Sequence, residues 1–190
     1  MAFPRKIPLF STLVLLSGVL GVACDTSPQL PPATDSNIVD TVTMYALRGT
    51  NVILPSGFDL PSNAALRTDL GAFDFAFDID PSNNAIMYPA GALGLPKDPG
   101  SLQSTSLFDS LKTAPTDGYL DSAGVTIYPG LVFVVRSRPY FPGCELVGQL
   151  PRYGKFHVLS IDDNLRSVTL EALVNRNCGY RDLQVGLPTL

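Results

Sequence analysis

The sequence predicts an all-β protein: a single-domain antiparallel β-sandwich or meander with long Gly/Pro-rich loops. Segments dense in Val, Leu, Ile, Phe and Thr occupy residues 131–138, 155–162 and 167–175, and these residue types favour strands. Seventeen Pro and 16 Gly favour short strands over long helices. After residue 23, no apolar periodicity of the helical kind continues long enough for an ordinary helix.

The strands are predicted from local patterns. The short polar connection at residues 162–166 predicts an antiparallel hairpin between the last two segments. Residues 39–47 and 51–54 predict a first strand pair. Residues 73–80 alternate strictly, with phenylalanines on one side and carboxylates on the other. That alternation predicts a strand with one buried face and one solvated face.

The middle of the chain is predicted to be less regular. The expected features are a short strand at residues 85–88, a long loop rich in Gly, Pro and Ser at 89–106, a brief helical turn at 107–111, and a strand at 125–128 that leads into a turn at Pro129-Gly130.

The N-terminus has the pattern of a signal peptide. Arg5 and Lys6 precede an apolar run over residues 7–22, and small residues lead to Cys24. Residues 21–24 resemble a bacterial lipobox, although a leucine stands one place further from the cysteine than is usual. We therefore expect lipidation of Cys24; the alternative is ordinary cleavage that leaves Cys24 a free thiol.

This pattern divides the chain into three regions. Residues 1–23 are the expected signal peptide, residues 24–37 a polar, Pro-rich, flexible tether joined to the lipid, and residues 38–190 the β domain. The expected location is the bacterial cell envelope, with the protein anchored in the outer membrane through its lipid. The net charge of −4 with scattered cations argues against nucleic acid as a partner.

Cys144 and Cys178 are the two cysteines of the predicted β domain. Because leftover cysteines of an exported protein are usually paired, we expect a structural disulfide between them. Two cysteines and the single histidine of the chain do not make a zinc site.

Residues 78–84 carry oxygen-bearing side chains at alternate positions, as at the start of a calcium-binding loop. However, Asn83 stands where that loop needs glycine, and Pro89 stands where its closing glutamate should be. A solvated turn is therefore expected, and no metal site.

A series of short motifs follows one order between about residues 70 and 175. The motifs are FDFAFDI at 73–79, FD at 108–109, APTDGY at 114–119, GLVFVVRS at 130–137, YGKFHVL at 153–159 and SVTLE at 167–171. In this order the chain resembles the HmuY-like family of lipid-anchored, all-β haem-binding proteins of bacterial outer membranes.

The resemblance implies that the domain takes up haem and passes it to an outer-membrane transporter, with the iron held by axial His or Met side chains. The haem-ligand candidates in this chain are Met87, Tyr88 and His157. A single histidine excludes a bis-His site within one protomer. The alternative for Met87 is ordinary core packing, and for His157 a sheet position at the edge of the core.

Two functions remain open at this point. The first is haem binding for uptake, as the resemblance implies. The second is a non-catalytic envelope lipoprotein of the same fold that serves as an adhesion or assembly module without haem. An enzyme is not expected, because the sequence has no Gly-x-Ser-x-Gly segment, no phosphate-binding glycine loop and only two glutamates, Glu145 and Glu171.

Overall fold

A computed structural model describes residues 30–139, 144 and 149–189, and these form a β-sandwich of two five-stranded antiparallel sheets. The strands are β1 (Val39–Tyr45), β2 (Gly57–Asp59), β3 (Ala64–Leu66), β4 (Phe75–Ile79), β5 (Ala85–Pro89), β6 (Gly100–Ser104), β7 (Val125–Thr126), β8 (Val132–Arg136), β9 (Tyr153–Asp162) and β10 (Ser167–Asn175). Two short 3-10 helices, Ala90–Leu93 and Phe108–Ser110, are the only helical elements in these ranges. The all-β prediction is confirmed.

The three longest strands, β1, β9 and β10, all belong to one sheet. The first sheet has the order β1-β10-β9-β8-β6 and contains the three strands predicted most clearly from the sequence. The second sheet has the order β3-β2-β4-β5-β7 and is built from shorter strands. Among the residues described, no helix is both long enough and apolar enough to cross a membrane.

Four phenylalanines form the centre of the core between the sheets. Phe58 and Phe75 come from the second sheet, and Phe133 and Phe156 from the first. Their ring centroids are 5.0–6.0 Å apart, in stacked and edge-to-face pairs. Aromatic pairs at such distances are favourable beyond the area they bury. The four rings therefore join the sheets at the middle of the sandwich.

A smaller apolar cluster lies on the outer face of the first sheet. It contains Phe108, Val134 and Leu183, and its neighbour Lys155 is 4% exposed. The Lys155 Nζ atom donates hydrogen bonds to the carbonyl oxygens of Phe108 (2.7 Å) and Leu111 (3.1 Å) and lies 4.4 Å from the centre of the Phe108 ring. Burial lowers the pKa of Lys155. This lysine fastens the 3-10 turn at residues 108–110 to the sheet.

Several predicted elements are confirmed at or near their predicted bounds. The hairpin of β9 and β10 pairs Asp162 with Ser167, and β10 ends at Asn175 as predicted. The short strand at 85–88 is β5, and the helical turn at 107–111 contains the 3-10 helix Phe108–Ser110.

Two predictions about the position of strands are wrong. Residues 51–54 form a turn closed by a hydrogen bond from the Leu54 N–H to the Asn51 carbonyl oxygen, and β1 pairs with β10. β1 pairs with β10 at seven positions. The segment 51–54 has only four residues before Pro55 and cannot pair with β1 over that length. The predicted loop at 89–106 also contains a strand, β6. Its sequence, which contains Gly and Ser, does not favour a strand by itself, and its pairing with β8 determines the extended conformation.

The described part of the predicted tether, residues 30–37, lies against the domain. The Asn177 Oδ1 atom accepts hydrogen bonds from the N–H groups of Thr34 and Asp35, at 2.8 and 3.1 Å. The Asn37 N–H donates to the Gly186 carbonyl oxygen at 2.7 Å. All strands of the described residues and the main core lie after residue 37, so a chain of residues 30–190 contains both sheets, and we expect it to fold on its own.

The predicted disulfide is present. Cys144 and Cys178 are bonded, with their Cα atoms 5.6 Å apart and a sequence separation of 34 residues. On the chain-entropy account, closing a loop of this length stabilises the folded state by roughly 3–4 kcal/mol. The bond ties residue 144 to the turn that follows β10 and lies close to residues 30–37.

Candidate functional site

A cleft with a volume of about 450 Å³ lies beside the second sheet. One wall is the loop before β4, with Ala72 and Phe73. The other wall is the connection between β5 and β6, with Ala90 and Leu95, and Arg138 contributes from the segment after β8. Concave, mostly apolar clefts with a few fixed polar groups are typical of small-molecule sites.

Arg138 is held at the cleft by two buried carboxylates of the second sheet. Its Nη1 atom lies 3.0 Å from Asp74 Oδ1, and its Nη2 atom donates to Asp59 Oδ1. The Arg138 backbone N–H donates to Asp74 Oδ1 at 2.8 Å, and the Leu60 N–H donates to Asp74 Oδ2 at 2.8 Å. We call these three charged side chains, Asp59, Asp74 and Arg138, the acid–arginine cluster. It fixes the guanidinium from two sides.

Asp74 is completely buried, and its protonation is set by two opposing effects. Burial, which disfavours the charged carboxylate, raises the pKa of Asp74 to about 6, while Arg138 and the hydrogen bonds from Arg138 and Leu60 N–H groups act in the opposite direction. The charge of Asp59 adds a small further increase. The cluster therefore changes its charge within a mildly acidic range of pH.

The second carboxylate of the alternating segment, Asp78, is held in a similar way. The Arg48 Nε atom lies 2.8 Å from Asp78 Oδ2, and the Arg48 N–H donates to Oδ1 at 3.1 Å. Arg166, from the hairpin between β9 and β10, donates to the Ile79 carbonyl oxygen at 2.7 Å. The prediction of a solvated carboxylate face is therefore wrong: arginines from distant parts of the chain cover that face, and Asp74 and Asp78 are both fully buried.

The three haem-ligand candidates do not meet. Met87 is completely buried in the core between the sheets. Tyr88, the next residue along β5, points to the opposite face of the second sheet, where it lies near Gly124. His157 alternates with the core residues Phe156 and Val158 and so points to the outer face of the first sheet. None of the three lines the cleft beside the second sheet.

His157 has local partners on that outer face. Its Nδ1 atom lies 3.1 Å from Glu171 Oε2, and its ring centroid is 6.2 Å from that of Phe108. Its side chain is 29% exposed. These contacts are those of a sheet residue at the edge of the outer cluster.

The segment that resembles a calcium loop is a turn closed by its own hydrogen bonds. Asp80 Oδ1 accepts from the N–H groups of Ser82 and Asn84, both at 2.8 Å, and Asp80 Oδ2 accepts from the Asn84 side-chain amide at 3.0 Å. Within residues 30–139, 144 and 149–189, no three His, Cys, Asp or Glu side chains are grouped as metal ligands. Cys24, the expected lipidation site, lies outside the described residues.

No local pattern in the sequence marks the acid–arginine cluster. Its members are spread over 79 residues of sequence, and each is an ordinary surface residue type. The only local signal was an aspartate between two phenylalanines, at the point where β4 begins. The cleft is likewise assembled from three separate segments, and no short motif marks it.

Comparisons of the chain with protein-family models, with curated proteins and with solved structures found no match. The resemblance to the HmuY-like family therefore stays a prediction based on the order of its motifs.

The raised pKa of Asp74 predicts how the stability of residues 30–190 depends on pH. A carboxyl with a pKa of about 6 in the folded state and 3.8 in the unfolded state binds more protons when folded, so the free energy of unfolding should fall as pH rises from 4 to 6. The conversion of 1.36 kcal/mol per pKa unit gives a total of about 3 kcal/mol. Urea unfolding at several pH values measures this slope.

In Asp74→Asn the slope between pH 4 and 6 should disappear, whereas Asp80→Asn should keep it. Three other carboxyls have lowered pKa values, and their effect on stability falls below pH 4, outside this window. A hydrogen bond from Arg67 lowers the pKa of Asp69, and hydrogen bonds from Asn84 lower that of Asp80. Burial raises the pKa of Asp182, but hydrogen bonds from Thr189 and Gln184 outweigh it and lower this pKa. An unchanged slope in Asp74→Asn would show that another group titrates.

Proposed function

We propose that this chain is a lipid-anchored, non-catalytic binding protein of the bacterial cell envelope, and that its β-sandwich holds a small apolar ligand in the cleft beside Arg138. The observation that best supports this proposal is the cleft itself: about 450 Å³, lined mainly by apolar groups, with one arginine held in place by two carboxylates. A side chain that is already fixed loses little conformational entropy when a ligand binds, which favours affinity.

The lining favours binding over catalysis. Its described side chains include one hydroxyl, from Thr68, one amide, from Gln149, and the charged groups of Asp98 and Arg138. Nucleophilic catalysis needs a nucleophile beside a general base, and an arginine guanidinium is neither. Arg138, paired with Asp59 and Asp74, is suited to shaping the wall of a binding site.

The position of the N-terminus fits an anchored protein. Residues 30–37 run along the domain, with the Tyr180 hydroxyl donating to the Pro31 carbonyl oxygen at 2.9 Å. An Arg176–Asp35 ion pair of 3.5 Å adds a second contact. A lipid on Cys24 would then join the sandwich through a short connection, which would keep the domain close to the membrane surface.

Haem uptake with delivery to an outer-membrane transporter is a second proposal, supported by the order of family motifs and by the apolar character of the cleft. The positions of Met87, Tyr88 and His157 weigh against an iron held by two of them, since each faces a different side of the sandwich. Haem bound in the cleft would need another mode of attachment.

The anchor is tested in the full chain. Cys24→Ala should move the exported protein from the membrane fraction to the soluble fraction, because the thioether to the lipid can no longer form. Ser27→Ala, three residues further on, is the matched control and should stay with the membrane. Retention of Cys24→Ala in the membrane would contradict a lipid anchor.

Ligand binding is tested with residues 30–190 and the neutral apolar dye N-phenyl-1-naphthylamine, whose fluorescence rises in an apolar site. We expect saturable binding that Ala72→Trp weakens by about tenfold or more, since an indole at this exposed position of the lining fills the cleft without disturbing the core. Ala64→Trp, at an exposed alanine outside the lining, should bind as the wild type does.

Non-saturable binding, or equal binding by Ala72→Trp and wild type, would contradict the proposed function. The same titration with haemin, followed at its Soret band, tests the second proposal, which is haem uptake. A saturable shift that is lost in His157→Ala supports haem ligation by this residue. A spectrum that stays that of free haemin counts against haem uptake.

A further inference from the structure

Two smaller pockets share lining residues with the main cleft. Asp98 and Pro139 also line a pocket of about 290 Å³ that contains Lys97 and Arg136. Gly71 also lines a pocket of about 220 Å³ that contains Leu66, Arg67 and Leu70. We call the first the cationic pocket and the second the leucine pocket.

The cationic pocket holds two positively charged side chains. Neither Lys97 nor Arg136 forms an ion pair with a carboxylate in the part of the chain that the structure describes. Arg136 is oriented instead by the Tyr119 ring, whose centre lies 5.1 Å from the guanidinium carbon, and by the Asp98 carbonyl oxygen at 3.5 Å. Among the described residues that line the pocket, these two cations face one carboxylate, that of Asp98, which makes this lining positive on a protein of net charge −4.

The leucine pocket and the cleft supply the apolar part. Leu70, in the leucine pocket, is 71% exposed and Leu95, in the cleft, is 43% exposed, so both present large apolar surfaces to solvent. Phe73 and Ala90 line the interior. Covering exposed leucine side chains is favourable by about 25 cal/mol per Å² of apolar surface removed from water.

We infer that the ligand of this cleft is a small single-chain amphiphile with a carboxylate head group, such as a free fatty acid. The apolar chain lies in the cleft towards the leucine pocket, and the carboxylate lies in the cationic pocket between Lys97 and Arg136. This inference rests on the proposed function and adds the chemical class of the ligand. Arg138, whose charge is already matched by Asp59 and Asp74, fixes the wall between the two regions.

The test compares two soluble amphiphiles of the same chain length and opposite charge, dodecanoate and dodecyltrimethylammonium, below their micellar concentrations. Calorimetry with residues 30–190 measures the affinity of each directly. We expect dodecanoate to bind about tenfold more tightly, which corresponds to about 1.4 kcal/mol. This preference should shrink at high salt, because the head group binds at a solvated pocket.

The double variant Lys97→Gln, Arg136→Gln should lower dodecanoate affinity by about tenfold and leave dodecyltrimethylammonium at least as tightly bound as before. Lys112→Gln removes an exposed lysine outside these pockets and is the matched control. Equal affinity for the two amphiphiles, or a dodecanoate affinity that the double variant retains, would overturn the inference.

The two proposals fail in distinguishable ways. If the dye binds in the cleft and dodecanoate shows no preference, the binding function stands and the carboxylate head group is wrong. If the dye does not bind but dodecanoate does, in a manner that depends on Lys97 and Arg136, the inference stands and the cleft does not serve neutral apolar ligands.

Discussion

The sandwich depends on how two buried carboxylates of the second sheet are neutralised by arginines from the first. Asp74 and Asp78 lie at the two ends of the β4 segment and are both fully buried. Arg138, which follows β8, meets Asp74, and Arg48, which follows β1, meets Asp78. An unpaired charge in such places is strongly destabilising. The two ion pairs therefore form only when the sheets have one particular alignment. Packing of the four central phenylalanines favours close contact between the sheets but selects no single alignment.

The same constraint shapes the cleft. Arg138 can reach Asp59 and Asp74 only if the segment after β8 lies beside the loop before β4, and this juxtaposition brings Arg138 to the lining next to Phe73. The cationic pocket then begins one residue further on, at Pro139. The rigid part of the site is thus built by the ion pairs that align the sheets. Its polarity, apolar towards Leu70 and positive towards Lys97, decides which ligands fit.

The sequence predicted those elements whose signals are local. β10 and its hairpin were predicted because nine consecutive residues favour a strand and the connection is short. The inward phenylalanines of β4 were predicted from their period of two. The burial of Asp74 and Asp78 was not predicted. Alternation shows which side of the strand a residue faces but not what packs on that side, and the arginines that cover these aspartates lie 30 and 64 residues away in sequence. β6 was missed because its pairing with β8 decides its conformation. The cleft joins three segments, so only their packing reveals it.

The most direct test of this account is a double-mutant cycle of Asp74→Ala and Arg138→Ala in residues 30–190, measured by urea unfolding at pH 7. Arg138→Ala leaves the buried Asp74 without its counter-charge and should cost about 3–5 kcal/mol, whereas Asp74→Ala leaves Arg138 paired with Asp59 and should cost less. The double variant should cost about 2 kcal/mol less than the sum of the two single variants. The exposed pair Arg67–Asp69 should show no measurable coupling. Additivity within about 0.5 kcal/mol for Asp74 and Arg138 would contradict the claim that this ion pair aligns the sheets.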